Sequence, residues 1–296
     1  MLVIGASGLL GSRLLAHTGE KYDIVGSCNP AIDGESSPLL ENVDIGSKDE
    51  VERLFHKIRP EVVILAAAMT NVDACEKNEK LAFRVNALGP EYVAHCTRKM
   101  NARLVYVSTD YVFDGEKKGR YTEEDMPNPI SIYGASKLAG ERAVSSILPE
   151  AIIARPAVLY GWNPIRNKDN FVTWVLNRLR NNQPATLFED QYTSPTFADD
   201  LARTLIDLLD TNVSGIWNIS GPDCLNRPAC GRIIANEFDL DESLIVPVQS
   251  ETIALPARRP KRTCLDITKV ERILKRKMVS FKEGIRMMKQ QEESQR

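Results

Sequence analysis

The chain has 296 residues, with 38 basic and 40 acidic side chains and a formal net charge of -2. That length can bury a large core and suits one large or two closely joined domains, two being the expectation. The balanced charge leaves no nucleic-acid footprint, and no apolar run approaches the ~18 residues of a membrane span.

Six cysteines are scattered without a Cys-x-x-Cys or a metal-ligand cluster. No disulfide framework and no metal are expected, and a reducing cytoplasm is the default. No basic, apolar leader precedes the first strand. The three histidines lie far apart; His95 and Cys96, adjacent on a predicted helix, point in different directions.

Leu2-Val3-Ile4 is a short apolar run suited to a strand buried on both faces. Gly5-Ala6-Ser7-Gly8-Leu9-Leu10-Gly11 follows it and opens a helical pattern. Glycines at this spacing permit a tight turn and a close backbone approach to a pyrophosphate, which free N–H groups at the helix N-terminus then stabilise. Dinucleotide binding is the reading, with Gly5, Ser7, Gly8, Leu9, Leu10 and Gly11 in contact with the cofactor. A second strand over 23–27 ends in Cys28-Asn29, without the carboxylate that would hold an adenosine ribose 2'-hydroxyl. That absence leans the cofactor from NAD towards NADP. Asp44 and Ile45 close the next strand and either lie against the adenine or cap the helix beginning near Lys48.

A strand over 61–65 runs into Ala66-Ala67-Ala68-Met69-Thr70-Asn71, small residues that leave space for a ligand at a carboxyl edge. Ala67, Ala68 and Thr70 are assigned to the cofactor. A helix over 81–100 leads to a strand over 103–107, which delivers Ser108-Thr109-Asp110-Tyr111 to the same edge. Tyr133 and Lys137 stand four residues apart on the next helix, one turn above each other. A fixed cation beside a phenol lowers its pKa and makes it a general acid or base.

The alternation of strands and helices predicts a doubly wound parallel sheet, an α/β fold of the Rossmann kind. A strand over 151–155, helices over 171–180 and 198–210, and a strand over 215–219 follow. Phe171, Trp174, Val175 and Leu179 are expected on one stripe. The polar tail from Gln290 is expected to fray. The domain expectation is a dinucleotide-binding unit over 1–155 to which 188–221 returns, with a smaller interleaved substrate unit from 156–187 and 222–296.

These motifs together resemble the extended short-chain dehydrogenase/reductases and, within them, the dTDP-4-dehydrorhamnose reductase family. The signposts are Gly5, Gly8 and Gly11; Ala-Ala-Ala-Met-Thr-Asn-Val-Asp at 66–73 with Glu76 and Asn86; Ser-Thr-Asp-Tyr-Val-Phe-Asp-Gly at 108–115; and Tyr133 with Lys137. Further along, Asp-Gln-Tyr-Thr-Ser-Pro-Thr at 190–196 and Arg258-Arg259-Pro260 with Leu265-Asp266 also match. The resemblance implies that Thr109 holds a substrate carbonyl, Tyr133 donates the proton, and Lys137 binds the nicotinamide ribose. Asp110, Asn170 and Gln191 would contact a nucleotide-linked sugar, a 4-keto-6-deoxy hexose on dTDP reduced to dTDP-L-rhamnose. The oligomeric state stays open, with a homodimer considered.

One departure is that Val158 stands where the family has a Trp against the sugar nucleotide; Trp162 either substitutes for it or serves packing. Three rivals remain. A sugar-nucleotide 4,6-dehydratase would need a Glu where Tyr111 stands. A 4-epimerase keeps the same triad. The regulatory beta subunit of methionine adenosyltransferase resembles the same family without catalysing the reduction.

Overall fold

A computed structural model describes residues 1–29, 40–166 and 168–294. Seven strands form one sheet: β1 (Leu2–Ile4), β2 (Val25–Cys28), β3 (Leu40–Asn42), β4 (Val62–Leu65), β5 (Arg103–Val107), β6 (Ile152–Arg155) and the late strand Gly215–Asn218. All neighbours pair in parallel. The order is Gly215–Asn218, β6, β5, β4, β1, β2, β3, so the chain reverses direction across the sheet between β1 and β4. Ligands of such sheets bind beyond the carboxyl ends at that reversal.

Side-chain alternation divides each strand between two cores. Val3, Ile64 and Val105 face one side; Leu2, Ile4, Val63, Leu65, Leu104 and Tyr106 face the other. Both faces are apolar because helices cover both. Helix α1 (Leu9–His17) covers the first core. Helices α2 (Lys48–Ile58), α3 (Val72–Lys77), α4 (Glu79–Phe83), α5 (Gly89–Lys99) and α6 (Ile132–Ile147) follow in the chain. Val51, Phe55, Val93, Ala94 and Val144 of α2, α5 and α6 fill the second core. The predicted helix over 81–100 is interrupted, since a π turn over Arg84–Leu88 joins α4 to α5.

The remaining elements are α7 (Phe171–Arg180), α8 (Ala198–Leu209), α9 (Arg227–Glu237), α10 (Thr268–Leu274) and α11 (Phe281–Glu293), with short strands β7 (Leu159–Tyr160), β8 (Ala185–Phe188), β9 (Tyr192–Thr193), β10 (Thr196–Phe197), β11 (the sheet-edge strand Gly215–Asn218), β12 (Leu225–Asn226) and β13 (Ile245–Val248). A third core gathers Tyr160, Val172, Val175, Leu176, Leu187, Ile234, Ile245, Phe281 and Ile285. Leu201, Leu205 and Leu208 of α8 and Val270 of α10 join the first core instead. Arg13 and His17 of α1 both bond the buried Asp199 of α8, which holds the helix that follows the glycine turn.

Three sequence expectations are corrected here. Trp174 is 37% exposed while Val172 and Leu176 are buried, so the apolar face of α7 keeps Val175 and Leu179 of the predicted stripe but turns away from Trp174. Cys224 and Cys264 form a disulfide, against the expectation of none; folding brings residues 40 apart in sequence together. The tail from Gln290 continues α11 to Glu293, whose Ser280 and Glu283 form a capping box at the other end.

Candidate active site

The first wall of the cleft is backbone. At Gly5 the chain turns with φ +92°, and an added Cβ would stand 2.6 Å from the Ala67 nitrogen. At Gly11 an added Cβ would run into the Gly5 carbonyl oxygen. Both positions therefore demand glycine, and the turn presents the N-terminus of α1 to the cavity. No side chain caps that helix end, which leaves its N–H groups for an anion.

A cavity of about 460 Å³ opens over the carboxyl ends of β1, β4 and β5. Gly5, Ser7, Gly8, Leu9, Leu10, Gly11, Asp44, Ile45, Ala67, Ala68 and Thr70 all line it, as do Thr109, Asp110, Tyr133, Lys137 and Asn170. Of the predicted site residues, Gln191 is not among its lining. Asp44 lines the cavity, and its Oδ1 accepts from the Gly46 nitrogen at 2.9 Å; it does not cap the helix at Lys48, whose N-cap is Ser47 with no side-chain cap bond. Cys28 and Asn29 line it below β2; the following residues, 30–39, lie outside the described chain.

Ser131 starts α6 by accepting from the Gly134 nitrogen at 3.2 Å, and Glu76 takes the Ile132 nitrogen at 3.1 Å. Tyr133 and Lys137 thus occupy the first two turns, facing the sheet. Asn86 fixes the opposite side. Its amide bonds both the N–H and the carbonyl of Met69 and donates to Ser136 Oγ at 3.1 Å, tying the 66–73 segment to α6. The Thr109 hydroxyl donates to Asp110 Oδ1 at 3.2 Å, and Tyr133 shares a hydrogen bond with Thr109. Thr263 donates to Asp110 Oδ2 at 2.5 Å.

Burial dominates the electrostatics. It pushes Asp110 up to about 6, with the Thr263 and Thr109 hydrogen bonds acting the other way. It lowers Lys137 to about 7, partly offset by Glu141. It also raises the Tyr133 phenol above its ordinary value, opposed by the Thr109 hydrogen bond. The expected lowering of Tyr133 by Lys137 is therefore not what dominates here. Lys137 Nζ donates to the Val107 carbonyl at 2.7 Å and lies 4.3 Å from the Tyr106 ring centroid, so its charge is spent on β5.

The second wall comes from distant segments. Asn163 donates to the Ser7 carbonyl at 3.1 Å across the glycine turn, and Arg166 and Lys168 also stand in the lining. Asn170 lines the cavity but uses its amide to cap α7 and to bond the Gly161 carbonyl at 2.7 Å. Val158 lines the cavity at φ +30°, an unfavourable conformation for a β-branched residue; its carbonyl accepts from the Thr196 nitrogen at 3.0 Å. Trp162 donates to the Met288 carbonyl at 2.9 Å within the third core, so its role is packing.

A family model described as the RmlD substrate binding domain matches residues 1–294. The chain belongs to the RmlD family. A Haloferax volcanii relative described as a probable low-salt glycan biosynthesis reductase is 36% identical, covering 91% of this chain and 90% of that protein. The beta subunit of methionine adenosyltransferase 2 from Mus musculus is 30% identical, covering 97% of this chain and 86% of its own. Among solved structures, dTDP-4-dehydrorhamnose reductase from Bacillus anthracis in complex with NADP aligns with a TM-score of 0.88 at 30% identity, over 98% of each chain.

Sequence reasoning about this RmlD-family chain missed Thr263, Asn163, Glu141, Arg227 and Arg262. Arg227 lies over the Phe171 ring at 4.5 Å and Arg262 over the Tyr192 ring at 5.1 Å. Each holds a buried nitrogen without a hydrogen-bond partner among the described residues, at Nη1 and Nε. No spacing signal marks these positions. The adjacency of Arg262-Thr263 to the family-like Arg258-Arg259-Pro260 run was the nearest clue.

Proposed function

We propose that this protein reduces a nucleotide-linked 4-keto-6-deoxy sugar with NADPH, the substrate being dTDP-4-dehydrorhamnose and the product dTDP-L-rhamnose. The convergence of Thr109, Tyr133 and Lys137 with the glycine turn on one cavity carries the reading. The turn and the uncapped end of α1 fit a dinucleotide pyrophosphate. The lack of a carboxylate at Cys28-Asn29 fits NADP better than NAD. The bound nicotinamide supplies the hydride.

Tyr133 gives its proton to the carbonyl oxygen as charge develops there, and Thr109 stabilises that oxygen with its hydroxyl. Lys137 orients the nicotinamide ribose. Asp110, held by Thr263, fixes Thr109 and faces the sugar. The unpaired donors of Arg227 and Arg262 supply the positive charge that a substrate diphosphate needs. Residues 1–155 with 188–221 serve the cofactor and the remainder serves the substrate. Gln191 and Asn170 act at the sugar side, Asn170 chiefly by holding α7.

No helix among the described residues is long and apolar enough to cross a membrane. A cytoplasmic location matches a nucleotide-linked substrate and a reduced cofactor. A homodimer is the assembly to test by light scattering.

The deciding experiment follows NADPH and NADH absorbance with purified protein and dTDP-4-dehydro-6-deoxy-L-mannose, with product identification. Oxidation with formation of dTDP-L-rhamnose is expected, faster with NADPH. Tight cofactor binding without oxidation would instead favour a regulatory role, the second reading that the likeness to the methionine adenosyltransferase subunit supports.

A further inference from the structure

Below Lys137 on α6 lies a charged side chain that the reaction as proposed leaves unused. Glu141 follows Lys137 by four residues, so Tyr133, Lys137 and Glu141 form one stripe aimed at the sheet. Glu141 is 3% exposed and Arg155, its ion-pair partner, 1%. Glu141 Oε1 accepts from Ser108 Oγ at 2.5 Å and from Arg155 Nε at 2.9 Å, and Oε2 accepts from Arg155 Nη2 at 2.6 Å.

These partners are placed with consequence. Ser108 directly precedes Thr109, and Arg155 ends β6 immediately before Pro156, Ala157 and Val158 in the cavity wall. The carboxylate thus ties the helix of the proton donor to both strand ends that face it. A buried ion pair adds little net stability beside apolar residues of like volume, so stability alone is a weak account of this one.

We propose that Glu141 is a positioning residue for the proton transfer: its carboxylate maintains the charge on Lys137 and, through Ser108 and Arg155, locks Tyr133 and Thr109 in register. The inference rests on the reduction proposed above. Facing Lys137 are the Tyr106 ring and the Val107 carbonyl from β5, with Tyr133 and Glu141 on its own helix. Arg155 of β6 stands behind Glu141, and Asp110 lies on the far side of Tyr133. Glu141 is the charge that acts on Lys137, favouring the ammonium against burial.

The test is Glu141→Gln in the full chain, read in two ways. The first is the pH dependence of NADPH binding, followed by cofactor fluorescence, with no sugar present. The second is kcat and KM for the sugar nucleotide. With the fold intact by circular dichroism, the binding midpoint should move about one pH unit lower than in the wild type. The kcat should fall roughly 10- to 100-fold, with KM for the sugar changed less than about 3-fold. Glu141→Asp, which keeps the charge, should restore the midpoint.

A folded variant with the wild-type midpoint overturns the proposal. Should Glu141→Gln not fold, the double variant Glu141→Gln with Arg155→Met removes the uncompensated charge, and a wild-type kcat in it overturns the proposal equally. A wild-type protein that binds NADPH but turns over no sugar would sink the proposed reaction while leaving the binding arm intact.

Discussion

The two walls of the cleft are built on different principles. The glycine turn after β1 is a continuous stretch whose function lies in its backbone, where Gly5 and Gly11 leave no space for a Cβ. The opposite wall is assembled from side chains in segments far apart: Asn163 and Asn170 line it, Thr196 holds the lining residue Val158, and Thr263 holds the lining residue Asp110. Its key bond, Thr263 to Asp110, spans 153 positions. A wall made of local backbone tolerates change outside it but almost none within. A wall made of long-range contacts spreads its sensitivity over many positions, each with a smaller effect.

The largest expected effect is at the first wall. Gly11→Ala forces a methyl against the Gly5 carbonyl and should weaken NADPH binding by roughly 100-fold or more in a fluorescence titration, even where the fold survives. Wild-type affinity in that variant would break the contrast. Tyr133→Phe should reduce kcat by roughly 100-fold or more while leaving cofactor affinity nearly intact, since it removes the proton donor and little packing. On the second wall, Thr263→Val releases Asp110 and should reduce kcat/KM for the sugar by about 10-fold with unchanged NADPH affinity.

Smaller effects sharpen the same contrast. Opening the Cys224–Cys264 pair with dithiothreitol frees a 40-residue separation and should cost about 2–4 kcal/mol on loop entropy, lowering Tm but not cofactor affinity. Asp110→Asn probes the charge. Because burial lifts Asp110 to about 6, its carboxylate costs nothing below the unfolded pKa, and the cost grows as pH rises to that value. The Tm advantage of Asp110→Asn should therefore be larger at neutral pH than near pH ~4. An advantage independent of pH would remove Asp110 from the buried, charge-bearing part of this wall.

How much of this was legible follows the same division. The parallel sheet, the glycine turn and the facing of Tyr133 and Lys137 could be read because strand alternation, glycine spacing and the helical repeat are local rules. The two cores then follow from apolar runs that need cover on both faces, whereas the order of the seven strands came only from the structure. The stripe of α7 held at Val175 and Leu179 but missed at Trp174, because which side of a short amphipathic helix is buried depends on what packs against it. The expected effect of Lys137 on Tyr133 also failed to dominate. Spacing says that two side chains share a face, but it does not say that the Val107 carbonyl and the Tyr106 ring will hold the ammonium.

From the sequence alone came the fold class, the glycine turn proposed to cradle the cofactor and the trio proposed to react, all encoded by neighbours in the chain or by one motif each. Only the tertiary structure decided the partners of Asp110, the pairing of Cys224 with Cys264, the burial of Glu141 against Arg155, and the approach of Asn163 to the glycine turn. Those contacts join residues whose separation in sequence carries no periodicity. They exist because the sheet and its helices bring the chain back on itself, and burial then requires each polar group to find a partner.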